Sequence, residues 1–222
     1  TSNSNDNIQN NMDTSKHYSK ICLYITGYGP FMNIKDNPSQ ILVDLIKSNK
    51  SHIEQFFNGK LAIEHTEILE VSCEYVLAKI PEIHEMIYKN SDPSTMKILL
   101  SFGVNSTIIK PVIHFESIAK NYINDYRDLK GKIFSDSSVE EINSKFECQK
   151  IVEDLEGCAE VSKDAGNYLC NFVYFLSSYA FMNKDDCYCK FIHIPEVNFL
   201  SSVECYNVFI RYLISLVQIY IK

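Results

Sequence analysis

A chain of 222 residues, 45% hydrophobic and 22% charged, is long enough for one large domain with a sizeable core, and its composition excludes a disordered or fibrous class. A net charge of −7 and an isoelectric point near 5.4 argue against general affinity for nucleic acid or anionic membranes. No apolar run reaches the roughly 20 residues needed to span a bilayer. The nearest candidate, "VFIRYLISLVQIYI", is interrupted by Arg211.

Residues 1–19 are almost all Asn, Ser, Asp, Thr and Gln, which predicts a flexible tail ahead of a folded part over residues 20–222. No basic-then-apolar leader pattern opens the chain. "KICLYIT", Lys20 to Thr26, reads as a buried central strand ended by Gly27. "GYGPFMNIKDNPSQ" reads as a loop, followed by a helix in "SQILVDLIK" with Ile41, Leu42, Leu45 and Ile46 on one face. "KLAIEHTEIL" is a second predicted strand, "SCEYVLAKIPEIHEMIYK" a helix bent at Pro81, and "MKILLSFGV" a third buried strand. "IIKPVIHFESIAKNY" reads as extended, and residues 128–160 as polar and irregular. "NYLCNFVYFLSSYAF" is a strongly apolar helix and "CKFIHI" a late strand stopped by Pro195. The last helix opens on a capping box, Ser201 with Glu204. Apolar strands alternating with amphipathic helices define an α/β domain with helices on both faces of the sheet. Functional sites in such sheets collect where strands end and helices begin.

Eight cysteines with no CxxC, scattered through apolar segments, read as reduced thiols rather than a disulfide scaffold, which places the protein in the cytoplasm. Cys187, Cys189 and His193 raise the thought of a metal. The cysteine spacing is tighter than structural zinc sites use and a fourth ligand is missing, so no metal is expected.

Three junctions hold groups suited to chemistry. Cys170 falls in the first turn of its helix, where free N–H groups and the helix dipole favour a thiolate and could hold an oxyanion; a buried core thiol is the alternative. His193 stands inside an apolar strand, where a ring nitrogen needs a partner, structural or catalytic. Glu116, in an apolar segment, needs a partner as well, and His114 shares its face if the segment is a strand. Nucleophile, base and orienting carboxylate are the parts of a Cys–His–Glu triad, with His114 a rival for the base.

Four segments, in order, resemble the pyroglutamyl peptidase I (pyrrolidone-carboxyl peptidase) family: "YITGYGPFMNIKDNPS", "HFESIAKN", "SKDAGNYLCNFVYF" and "KFIHIPEV". The resemblance runs from about Lys20 to the C-terminus. It implies a single-domain three-layer α/β/α sandwich with a twisted mixed sheet and no metal or organic cofactor. It also implies a cysteine exopeptidase that removes N-terminal 5-oxoproline from peptides through a thioacyl enzyme. Carried over, Cys170 is the nucleophile, His193 the base and then acid, and Glu116 the group that orients His193. Tyr28 and Phe31 would line the lactam pocket, Tyr168 and Leu169 close another wall, and a turn at Gly103–Val104–Asn105 offer backbone contacts. Bacterial relatives often form dimers or tetramers, so the resemblance is compatible with a homo-oligomer. The chain departs from the family pattern in places. Met32–Asn33 replaces a glycine, Tyr126 stands at the offset of an oxyanion arginine with Arg127 one residue on, and "DLKGKIFSDSS" lacks the usual Pro-Asp-Asn. These departures leave open an impaired pyroglutamyl-peptide-binding or scaffolding protein on the same fold. A nucleotide-binding enzyme is the third reading, but "TGYGPF" is not a G-x-G-x-x-G loop.

Overall fold

The computed structural model describes residues 16–31, 34–124, 130–135 and 137–222. The elements follow as β1 (Lys20–Tyr28), α1 (Pro38–Ser48), α2 (Lys50–Phe56), β2 (Leu61–Leu69), α3 (Cys73–Lys89), β3 (Thr95–Val104) and β4 (Ile113–Glu116). Next come β5 (Ile118–Lys120), β6 (Ile123–Asn124), β7 (Lys130–Gly131), β8 (Glu141–Asn143), α4 (Cys148–Asp154), β9 (Ala159–Ser162), α5 (Leu169–Phe181), β10 (Cys187–Ile194) and α6 (Ser202–Tyr220). The main sheet has six strands in the order β2-β1-β3-β10-β4-β9. All neighbours are parallel except β10 and β4. Two short antiparallel ribbons, β5 with β8 and β6 with β7, lie outside it.

β3, buried at nine of its ten residues, lies between β1 and β10 inside the sheet, where both faces are covered. Leu42, Val43 and Ile46 of α1, Ile151 of α4, and Val208, Phe209 and Leu213 of α6 pack on one face with Leu23, Ile98 and Ile192. Val76, Ile80 and Ile83 of α3 and Phe172 to Phe175 of α5 pack on the other with Tyr24, Leu99 and Phe191. The result is three layers, helix, sheet and helix. Among the described residues no helix is long and apolar enough to cross a membrane.

Some expectations need correction. β1 does not stop at Gly27 but runs to Tyr28; glycine is there because a Cβ would come within 2.6 Å of the Ser39 carbonyl on α1. Gly103 and Val104 are strand, not turn. The stretch read as irregular holds β7, β8, α4 and β9. Tyr18, inside the predicted tail, is 3% exposed and bonded to Tyr188 Oη at 2.6 Å, so the packed part starts before Lys20. The rest of the predicted tail, residues 1–15, lies outside the described residues.

Candidate active site

β3 and β10 run side by side, with His193 opposite Gly103 and, on its other flank, opposite His114 of β4. α5 lies over this end of the sheet. Its N-cap, Tyr168, makes no side-chain cap bond, and Cys170 is the second residue of the helix. The first-turn N–H groups of a helix have no intrahelical acceptor. The absence of a side-chain cap keeps those beside the thiol open to an incoming oxygen.

Gly103 makes the close approach of α5 feasible: a Cβ there would meet Cys170 Sγ at 3.0 Å and the Phe191 ring at 2.9 Å. The thiol is half-buried and lies beside His193, close enough to bear on the ionisation of its imidazole. The ring nitrogen Nδ1 lies 2.8 Å from Glu116 Oε1. An ionised carboxylate only accepts, so Nδ1–H donates to Glu116 and Nε2 is left for the thiol. Both ends of this pair are enclosed, Glu116 at 0% and His193 at 3% exposure. Burial alone would lower the His193 pKa; the hydrogen bonds and charges of Cys170 and Glu116 outweigh it and push the value up to about 9. His114, by contrast, is held down mainly by burial, and its Nε2 makes no hydrogen bond among the described residues. Glu116 therefore serves His193 and not its rival.

No protein-family model matches the chain. Over 179 residues it is 28% identical to the pyrrolidone-carboxylate peptidase of Saccharolobus islandicus strain L.S.2.15, covering 76% of this chain and 77% of the relative. Over most of its length the chain is thus similar to the pyrrolidone-carboxylate peptidases. Its fold is theirs too. The crystal structure of Bacillus amyloliquefaciens pyroglutamyl peptidase I aligns with a TM-score of 0.70 at 19% identity, over 92% of this chain and 100% of that one. The pyrrolidone carboxyl peptidase of Fervidobacterium islandicum AW-1 aligns with a TM-score of 0.67 at 21% identity, over 90% and 97%.

The remaining sequence-predicted positions divide. Tyr28 is buried beside the thiol; burial, then Cys170 and Cys73, raise its hydroxyl pKa, and that hydroxyl donates to the Leu169 carbonyl at 3.3 Å. Leu169 is half-buried, while Tyr168 is 59% exposed. Phe31 is half-buried on the β1–α1 loop, where its backbone pairs with Ile34. The Asn105 N–H is already bonded to the Ile194 carbonyl at 2.9 Å, and its side chain holds Thr107. Asn105 therefore has no backbone donor free for a ligand, and Val104 is half-buried at the strand end. Arg127 and Met32–Asn33 lie outside the described residues.

Two sets of groups escaped the sequence reading. Asn171, beside Cys170, accepts from the Lys120 N–H at 2.9 Å and donates to the Lys120 and Tyr122 carbonyls at 2.9 and 2.7 Å, tying the thiol's helix to the strand beyond Glu116. The available signal was an amide inside an otherwise apolar helix, which needs buried partners. The "NPS" element has a structural task as well. Asn37 caps α1 through the Ser39 N–H, Pro38 takes the first helical position, and Ser39 Oγ accepts from the Tyr28 N–H at 2.9 Å. All eight cysteines carry free thiols, and among the described residues no cluster of three or more His, Cys, Asp or Glu is disposed to hold a metal.

Proposed function

We propose that the chain is a cysteine exopeptidase that hydrolyses the N-terminal pyroglutamyl residue from peptides through a thioacyl enzyme. The observation that carries the proposal is the run from Cys170 through His193 to Glu116, with Nδ1 and Oε1 2.8 Å apart and that pair buried beneath a half-exposed thiol. His193 takes the Cys170 proton, and the sulfur attacks the carbonyl carbon of the pyroglutamyl residue. First-turn N–H groups of α5 face the developing oxyanion. Collapse breaks the C–N bond, and His193 returns the proton to the departing amine. Water, deprotonated by the same imidazole, then splits the thioester and releases pyroglutamate. Glu116 keeps the ring in one tautomer and balances the imidazolium. Tyr28 offers an apolar wall beside the thiol, as a small uncharged lactam requires. Free thiols throughout support a reducing, cytoplasmic setting.

Pyroglutamyl and prolyl amides of one fluorophore, assayed side by side, test the proposal. Release from the pyroglutamyl amide alone, abolished in Cys170→Ala with the circular dichroism spectrum unchanged, is the expected result. Full activity in that variant would overturn the mechanism. Binding of pyroglutamyl peptides without turnover would favour the scaffolding reading instead.

A further inference from the structure

The carboxylate that orients His193 stands where the sheet holds its backbone on one flank only: Glu116 is in register with Ser162 of β9, and its other flank, toward β10, is open. β4 pairs with β10 through Phe115 opposite Ile192 and His114 opposite His193, and the pairing stops before Glu116. Side chains replace the missing ladder bond. The Glu116 carbonyl accepts from Tyr174 Oη at 2.9 Å and from Lys190 Nζ. Tyr174 reaches it from α5, the helix that bears Cys170, and Lys190 from β10, the strand that bears His193. Lys190 is 1% exposed and also contacts Ser144 Oγ at 3.1 Å and Cys148 Sγ at 2.7 Å. The carboxylate itself has one tether: Oε1 meets His193, and Oε2 is buried with no hydrogen-bond partner among the described residues. Its aim is therefore set by its backbone. A neutral hydroxyl would satisfy that carbonyl, and Tyr174 already supplies one; a buried ammonium is costly to install and gives a much stronger bond.

We infer that Lys190 and Tyr174 are positioning residues, which grip the Glu116 carbonyl from strand and helix and so hold its carboxylate on His193. The kinetic side of this inference rests on the peptidase reading; the geometric side does not.

Lys190→Met keeps the aliphatic stem and removes the ammonium, and Tyr174→Phe removes only the hydroxyl. The ring signals of His193 are followed by NMR from about pH 5 to about pH 11, alongside kcat per alkylatable Cys170. The groups facing His193 are Cys170 from α5, Glu116 and His114 from β4, and Asp164 from the loop before α5. In Lys190→Met the midpoint should fall toward the ordinary histidine value of about 6.5, as the carboxylate loses its aim. Alongside, kcat should drop about tenfold or more with KM within about twofold. Tyr174→Phe should move both the same way by less. If Lys190→Met does not fold, Tyr174→Phe decides. An unchanged midpoint and unchanged kcat per thiol, with only the melting temperature lowered, would reduce both residues to structural supports and overturn the inference. A midpoint that rises, as simple removal of a distant positive charge would cause, overturns it too. If the unaltered protein cleaves no pyroglutamyl amide while the midpoint falls as expected, the functional reading fails and the positioning role stands.

Discussion

Burial and pairing pull His193 in opposite directions. Enclosure alone would favour the neutral ring, while the thiol and the carboxylate favour the charged one and win, raising the pKa to about 9. A raised pKa fixes the sign of the stability effect. The contribution is complete below the unfolded value of about 6.5 and is lost as pH rises through about 9. Cys170→Ala removes a main cause of the rise, so its His193 midpoint should drop and its decline in stability should begin at lower pH. Urea midpoints measured from about pH 6 to about pH 10 test this, and a curve parallel to the unaltered protein's would mean that thiol and ring are not coupled. Gly103 makes a second residue-scale claim. In Gly103→Ala the new methyl must displace Cys170 Sγ or the Phe191 ring, from which it would stand 3.0 and 2.9 Å. Stability should fall by about 1–3 kcal/mol, the usual cost of overpacking, and kcat/KM by about tenfold or more. Normal turnover would mean that the thiol works from a different position. In composition alone Cys170 reads as core; the ordered resemblance of four segments singles it out. Asn171 stayed hidden because its partners, Lys120 and Tyr122, are some fifty positions away in sequence, where no local pattern reaches.

Elements with a strong period were legible, and short ones were not. β1, β3 and β10 are mostly apolar runs, and α3, α5 and α6 span 17, 13 and 19 residues, enough for a face to repeat. α4 has seven residues, of which Cys148 and Ile151 are buried, and β9 has four. Such elements owe their form to the sheet edge and to α6 rather than to their own pattern. The start of α1 is instead written locally, and it couples to the site. Asn37 accepts from the Ser39 N–H at 3.0 Å and donates to the Gly29 carbonyl at 2.9 Å, and Ser39 in turn holds the Tyr28 N–H. Asn37→Ala should cost about 1–2 kcal/mol, the range for a lost N-cap. It should also raise KM more than it lowers kcat, because Tyr28 is loosened and the triad is untouched. Thermal melts and steady-state kinetics separate the two effects, and a large fall in kcat with KM constant would contradict the assignment of this loop to binding.

At the scale of the whole molecule, the sheet separates chemistry from anchorage. Gly103 and His193 are neighbours near one end of β3 and β10, while Lys97 and Cys187 are neighbours near the other, six residues back and so about 20 Å away. That adjacency of two strands far apart in the chain could not be read from sequence, although each strand could. At the far end Lys97, 2% exposed, reaches Asp186 Oδ2 at 2.5 Å and the Asn90 and Asp92 carbonyls at 2.9 and 3.3 Å. Burial would raise the Asp186 pKa, but its bonds to Lys97 and Cys187 and the Lys97 charge outweigh this and lower it. A depressed carboxylate contributes stability above its ordinary pKa and loses it as pH falls through the folded value. Asp186→Asn leaves a buried ammonium with carbonyl partners only. The expected cost at neutral pH is about 1–3 kcal/mol, below the figure for a fully enclosed pair because Asp186 is partly open to solvent and two carbonyls remain. Separation of the two ends makes the sharper claim. kcat/KM for a pyroglutamyl amide should stay within about twofold of the unaltered value, since nothing at the triad's end of the sheet has moved. Stability curves of the two proteins should converge in strong acid, where Asp186 is protonated in both states and the unaltered protein has lost the same ion pair. Parallel curves throughout the acid range would show that the pair contributes nothing. A large fall in activity with stability unchanged would show that the two ends of the sheet are coupled rather than separate.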